Sequence, residues 1–276
     1  MKKGRNSHMK QRRLVILIAT ILPLIYVTTV SAGIAIQRPN KTYGVFVGIN
    51  KYRESDISLR FCVIDASSLY DQLNNKSSEN YLLTDEKATK ENILGKIGQI
   101  INTVKKNDFV ILYLAAHGII QYNDYFIFAS DSTHKNVLGT CIPSRTIINA
   151  LSSKKMTGVN VLIIIDTCHA GGIGFDISDF YDPINKSGCA MMLSSSPLEV
   201  AHEGFEYGGG HGVFTHYLVQ GLKGNADYNK DNAITVRELF DYTYFNVKKA
   251  TKDSQNPVLI GTLPNSLVVK TIRFKR

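Results

Sequence analysis

Two short segments of this 276-residue chain carry side chains able to do covalent chemistry. An apolar run, Phe109–Ala116, stops at His117-Gly118. A second, Val159–Ile165, stops at Asp166-Thr167-Cys168-His169-Ala170-Gly171-Gly172. A thiol with an ordinary pKa of about 8.5 is only a few per cent thiolate at neutral pH. A nearby histidine stabilises the thiolate and later protonates a leaving amine. If the two runs are neighbouring parallel strands, they present His117 and Cys168 at one edge, 51 positions apart in sequence. Gly118 would let a substrate carbonyl approach the backbone, whose N–H can hold an oxyanion. Each residue alone has a plainer reading: the cysteine as a small buried hydrophobe, the His-Gly as turn punctuation. The pair points to catalysis, and spatial proximity is what would establish it.

The elements that must position these groups are legible as alternating strands and helices. Strand-length apolar runs occur at Tyr43–Asn50, Phe109–Ala116, Val159–Thr167 and Cys189–Ser194, largely unbroken, as strands buried on both faces should be. Between them, Ala66, Leu69, Tyr70 and Leu73 recur at helical spacing, as do Ile93, Ile97, Ile100, Ile101 and Val104. Ile147, Ile148 and Leu151 predict a shorter helix. Phe214–Gly221 and Val236–Val247 predict two more. Tyr125–Ser130 and Ser266–Phe274 read as short strands near the sheet edge. The alternation predicts an α/β domain with a mainly parallel central sheet and helices on both faces. In such sheets reactive groups gather at the carboxyl ends of the strands.

The formal charge of +9 resembles a nucleic-acid signal until it is located. Residues 1–32 hold Lys2, Lys3, Arg5, Lys10, Arg12 and Arg13 and no acid, which leaves 26 basic against 23 acidic residues in the rest. Charge therefore gives no reason to expect DNA or RNA as partner. After the basic residues come the apolar run Leu14–Val30 and the small residues Ser31-Ala32. This pattern reads as a secretory signal cut after Ala32; the alternative is an uncleaved membrane anchor, 17 residues being short for a span. Both put the body outside the cytoplasm, exported or anchored. The four cysteines, Cys62, Cys141, Cys168 and Cys189, form no C-x-x-C pair and support neither a zinc site nor a disulfide scaffold.

The segment DTCHAGG resembles the D-S-C-H-S-G signature of metacaspases, within the caspase-like cysteine peptidases. YLAAHG is similar to that family's Y-x-S-G-H-G, and YGVFVGINKY with LRFCVIDA resembles its first strand and helix. GHGVFTHYLVQGLKG and QNP resemble segments of bacterial members, so the likeness runs from about Tyr43 to Pro257. It implies a caspase-hemoglobinase fold over residues 43–276, after a signal peptide at 1–32 and a short linker at 33–42. It implies His117 and Cys168 as a catalytic dyad, and an oxyanion hole from the backbone N–H groups of Gly118 and Cys168. It also implies a monomer that needs no cofactor for its chemistry.

In metacaspases the acid two before the nucleophile and the acid of the early C-x-x-D segment line the primary specificity pocket. These match Asp166 and Asp65, with Cys62 at the cysteine. Two carboxylates suit a guanidinium or ammonium and repel an aspartate, so the expected partners are proteins or peptides cleaved after Arg or Lys. The plainer reading makes Asp166 and Asp65 caps of a turn and a helix. Ala115 and Ala116 depart from the family's serine and glycine before the histidine. A non-catalytic binding module of the same fold and an Asp-specific caspase are the alternatives; the dyad argues against the first, and Asp166 with the missing Q-A-C-x-G context against the second. Lys186, after the nucleophile, would suit self-cleavage.

Calcium has two candidate places. Asp227, Asn229, Asp231, Ala233 and Glu238 fit a twelve-position calcium loop with Asn232 in place of the usual glycine. Thr235-x-x-Glu238 is equally a capping box for the next helix. Asp124 and Asp131 flank a strand similar to the family's calcium region, but its acidic doublet is missing.

Overall fold

The structure, a computed structural model, describes residues 36–122, 124–167 and 188–272. The strands are β1 (Thr42–Gly48), β2 (Ser78–Thr84), β3 (Phe109–Ala115), β4 (Gly118–Gln121), β5 (Asp124–Ile127), β6 (Ile142–Pro143), β7 (Asn160–Asp166), β8 (Cys189–Leu193), β9 (Glu203–Gly204), β10 (His211–Gly212), β11 (Ala233–Thr235), β12 (Val258–Gly261) and β13 (Val268–Thr271). The helices are α1 (Cys62–Leu73), α2 (Lys90–Thr103), α3 (Val137–Thr140), α4 (Ser144–Leu151), α5 (Val213–Gln220) and α6 (Val236–Ala250).

Six strands form the central sheet in the order β12-β8-β7-β3-β1-β2, all parallel except β12. The four apolar runs are its four inner strands. Alternation along them divides the core: Val110, Leu112 and Leu114 face α2 and α4, while Phe109, Ile111 and Tyr113 face α1, α5 and α6. Helices therefore cover both faces, as the alternation predicts. The edge strand β2 went unpredicted because Ser-Glu-Asn-Tyr-Leu-Leu-Thr is half-exposed and carries no unbroken apolar run.

Two strand placements differ from expectation. The strand around Tyr125 lies between β4 and β6 in a separate three-stranded sheet, and the strand near Val268 pairs with β11 in a two-stranded one. The true second edge is β12, antiparallel to β8. Short alternating runs specify a strand without naming its partner. Within residues 33–42, Gln37 bridges to Leu267. Among the described residues no helix is long and apolar enough to cross a membrane.

Two local devices aim the site. The chain leaves β1 and crosses to β2 on one side, then returns to β3 on the other, so the sheet's switch point lies between β1 and β3. Asn50, just after β1, accepts from the Val63 N–H at 3.2 Å and donates to the Arg60 carbonyl at 3.0 Å. It satisfies the start of α1, which leaves Asp65 in the first turn free of capping. At Gly48 an added Cβ would run into the Cys62 carbonyl and lie 2.8 Å from Ala66 Cβ, so α1 is seated directly on the β1 backbone. Gly48→Ala is expected to destabilise the fold by about 1–3 kcal/mol, through overpacking against backbone that cannot yield. A lowered urea midpoint checks this; an unchanged midpoint would show that α1 does not sit so closely on β1.

Candidate active site

The register of the sheet does the first positioning. Ala115 at the end of β3 pairs with Asp166 at the end of β7. His117 and Cys168 each follow two residues after that pair. Cys168 itself lies outside the described residues, with His169 and Lys186.

His117 is held from three sides. Its backbone N–H donates to the Tyr52 hydroxyl at 2.8 Å, and its carbonyl accepts from the Phe128 N–H at 3.0 Å. Its ring packs 5.2 Å from the Tyr52 ring. Its Nε2 lies 2.6 Å from the Ile57 carbonyl oxygen. A carbonyl can only accept, so Nε2 carries the proton and Nδ1 keeps the lone pair. Burial, with the charge of His134 adding to it, holds the imidazole below its usual pKa, although the Ile57 carbonyl pulls the other way. A neutral ring with one basic nitrogen is what a proton acceptor for a thiol requires.

Gly118 has a steric reason to be glycine. An added Cβ would collide with the Tyr125 hydroxyl, which is hydrogen-bonded to the Thr167 hydroxyl. Tyr125 thus wedges between the segment after β3 and the residue before Cys168.

The second half of the site is a small acidic pocket of about 40 Å³, lined by Leu59, Cys62, Asp65, Ala116, Asp166, Thr167, Ala201, His202, Glu203 and Gly212. Asp65 and Asp166 both converge on Gly212, whose added Cβ would lie 3.0 Å from Asp166 Oδ2 and 3.2 Å from Asp65 Oδ2. Neither is a cap. Asp65 Oδ1 lies 2.6 Å from His211 Nδ1, and its Oδ2 accepts from the Gly212 N–H at 3.1 Å. Asp166 Oδ2 accepts from the Thr215 hydroxyl at 2.6 Å, and Thr215 lies 2.7 Å from the Tyr113 hydroxyl. Both acids are buried, at 3% and 8% exposure. Burial first, and then the charge of Asp65, push Asp166 up to about 7 against the pull of the Thr215 and Ser194 hydroxyls. Burial also raises Asp65, with His211 and Gly212 opposing. At the pocket mouth, Glu203 is raised by burial and by the charge of Asp65, with Arg60 opposing.

The acids near the two calcium candidates are bonded within the chain. Asp124 accepts from Arg145 Nε at 2.5 Å, and Asp131 from the Lys90 N–H at 2.9 Å. In the loop, Asp227 accepts from the N–H groups of Asp231 and Asn232, and Asp231 accepts from that of Ala233. Asn229 accepts from the Asp231 N–H, and Asn232 takes φ 64°. Glu238 Oε2 accepts from both the N–H and the hydroxyl of Thr235, completing the capping box of α6. Among the described residues no group of three or more His, Cys, Asp or Glu is arranged to hold a metal ion.

The caspase-domain family model matches residues 41–268, most of the chain. The chain belongs to the caspase-domain peptidases. No curated protein matches it. Among solved structures, it is similar to protein GSU0716 from Geobacter sulfurreducens, with a TM-score of 0.61 and 15% identity over 84% of this chain and 100% of that one. That likeness concerns the fold alone.

In this caspase-domain chain Cys62, Asp65 and Asp166 line one pocket, and its supports carry no mark in the sequence. Glu203 went unnoticed because nothing local marks it; the β9–β10 pairing places it opposite Gly212. His211 showed no metal-ligand spacing, and its use emerges only when Asp65 faces it across 146 positions. Ala115 is buried in the core, while Ala116 lines the pocket where its small side chain leaves room.

Asp166 has a thermodynamic signature. Below about pH 4 the carboxyl is protonated in both folded and unfolded chains. Between about 4 and about 7 the folded chain keeps a proton that the unfolded chain releases, so this group's contribution to stability falls as pH rises. Asp166→Asn is therefore expected to stabilise the fold by on the order of 1–3 kcal/mol above pH 7 and negligibly at pH 4. Melting curves at pH 4 and 8 check this; equal effects at both would mean the acid is not strained by burial.

Proposed function

We propose that the chain is an exported cysteine endopeptidase that cleaves after Arg or Lys, using Cys168 as nucleophile and His117 as its base and acid. The observation that carries this reading is the shared pocket of Asp65, Asp166 and Glu203, next to the ends of the two strands that lead to His117 and Cys168. An ammonium or guanidinium entering it relieves the repulsion between two buried carboxylates, whereas an acidic side chain adds to it. Membership in a peptidase family already makes proteins or peptides the substrates.

In the proposed chemistry, His117 Nδ1 takes the Cys168 thiol proton and the thiolate attacks the scissile carbonyl carbon. The oxyanion is held by the backbone N–H groups of Gly118 and Cys168. Collapse of the tetrahedral intermediate breaks the C–N bond, and the amine leaves with the proton from His117, giving a thioester. Water, deprotonated by His117, then attacks the thioester and releases the acid and the thiol. The export assignment rests on the basic and apolar pattern of residues 1–32.

The test is hydrolysis of matched fluorogenic peptides ending in Arg, Lys, citrulline or Asp by the purified chain, with calcium or chelator in parallel. Cys168→Ala is expected to abolish turnover by at least about 10³-fold. Asp65→Asn is expected to reduce kcat/KM for Arg peptides by about 10²-fold or more while sparing citrulline peptides, because it removes a buried charge partner. Glu203→Gln, at the exposed mouth, should cost about two- to fivefold on the same ratio. Equal losses on charged and neutral peptides would overturn the basic specificity.

A pH profile tests the same pocket from another side. The Arg-over-citrulline ratio of kcat/KM should rise as pH increases through about 7, where the free enzyme's Asp166 ionises. A ratio flat from pH 5.5 to 8.5 would show that Asp166 does not contact the cation.

A further inference from the structure

A second cavity, of about 160 Å³, lies between α1 and α5, lined by Asp71, Gln72, His211, His216, Gln220 and Lys223 among others. We propose that it is a binding site for a small oxyanion, held by His216 and Lys223 and touching His211, the residue that anchors Asp65.

Three observations carry this. The first is charge. His211, His216 and Lys223 line the space against a single acid, Asp71, and a fourth base, Lys270, donates at 2.8 Å to the Gln72 side chain that forms part of the wall. These bases act on one another: after burial, the charges of His211 and Lys223 are what hold His216 below its usual pKa, and Lys223 does the same to the half-buried Lys270. An anion between them removes that repulsion.

The second is unused bonding capacity. Among the described residues, the side chains of Asp71, His216, Gln220 and Lys223 make no hydrogen bond or ion pair within the chain, although all four face the same space. His216 has only ring neighbours, with Tyr217 at 5.0 Å, Tyr207 at 6.0 Å and His211 at 6.2 Å.

The third is room kept open by backbone. At Gly208, with φ 66°, an added Cβ would lie 3.1 Å from His216 Nδ1 and 3.4 Å from His211 Cδ2, so any other residue would fill the gap beside the two imidazoles. A buried water needs only about 10–15 Å³ of such space, so the cavity takes a polyatomic anion with water around it.

The site's position gives it consequences. Its walls are the helices that hold the two acids: α1 carries Asp65, and Thr215 on α5 binds Asp166 beside His216. An anion held by His216 and Lys223 lies against His211, and through the 2.6 Å His211–Asp65 contact it bears on the acidic pocket. Binding itself is independent of any peptidase activity.

The test is calorimetric titration of the purified chain with sodium sulfate, which does not titrate near neutrality, against sodium chloride at equal ionic strength. Sulfate should bind saturably, and more tightly at pH 6 than at pH 8, because the groups facing His216 are bases and tyrosines apart from Asp71. Lys223→Ala and His216→Gln should each weaken binding about five- to tenfold, and Asp71→Asn, which removes the one opposing charge, should tighten it about threefold. Lys223 and Asp71 are exposed, so their variants should melt like the parent without sulfate. Saturable binding with these opposite signs supports the site. No saturable heat beyond chloride, or equal binding by parent and both charge variants, overturns it.

Discussion

Two carboxyl groups, Asp65 and Asp166, are buried against one glycine, and much of the site is arranged around keeping them there. Ionised carboxylates buried side by side repel each other and lose hydration. The chain answers with specific donors: His211 and the Gly212 N–H for Asp65, and the Thr215 hydroxyl, backed by Tyr113, for Asp166. The donors come from β10 and α5, more than forty residues after β7 in the chain. The return of the chain across the α1 face is therefore a condition for tolerating the acids, beyond covering the sheet.

Under the proposed basic specificity, stability and specificity would pull in opposite directions here. A pocket that already satisfied its charges would be more stable and would have little to offer a cation. Burial leaves Asp166 half-protonated near neutral pH, so under the proposed specificity its charge would be delivered only when a positive side chain enters. Glu203, on a short hairpin strand, adds a third acidic group to the pocket lining, raised by burial and by the charge of Asp65.

The histidine side follows a different logic. His117 follows the end of β3, its proton fixed on Nε2 by a backbone carbonyl and its ring framed by Tyr52 and Phe128. Tyr125 couples the two strand ends by filling the space that Gly118 leaves and bonding Thr167. The basic cavity behind His211 lies on the same helical face as the acids, so the opposite charges of the two cavities meet at the Asp65–His211 contact.

Much of the architecture was legible from the residues alone. Unbroken apolar runs marked the four inner strands, because a strand covered on both faces has no polar side to show. Helical periodicity marked α1, α2, α4, α5 and α6 for the converse reason. The resemblance of DTCHAGG and its histidine segment pointed to the family, and that same resemblance implied that Cys62, Asp65 and Asp166 share one pocket. What the sequence could not decide was partnership across distance. Whether Asp65 caps a helix or faces His211 depends on Asn50 taking over the cap and on a hairpin folding back 146 positions later. The polar edge β2, the small sheet around Tyr125 and the place of Glu203 were likewise settled by pairing, since hydrophobic periodicity records which face of a segment is buried and not what it is buried against.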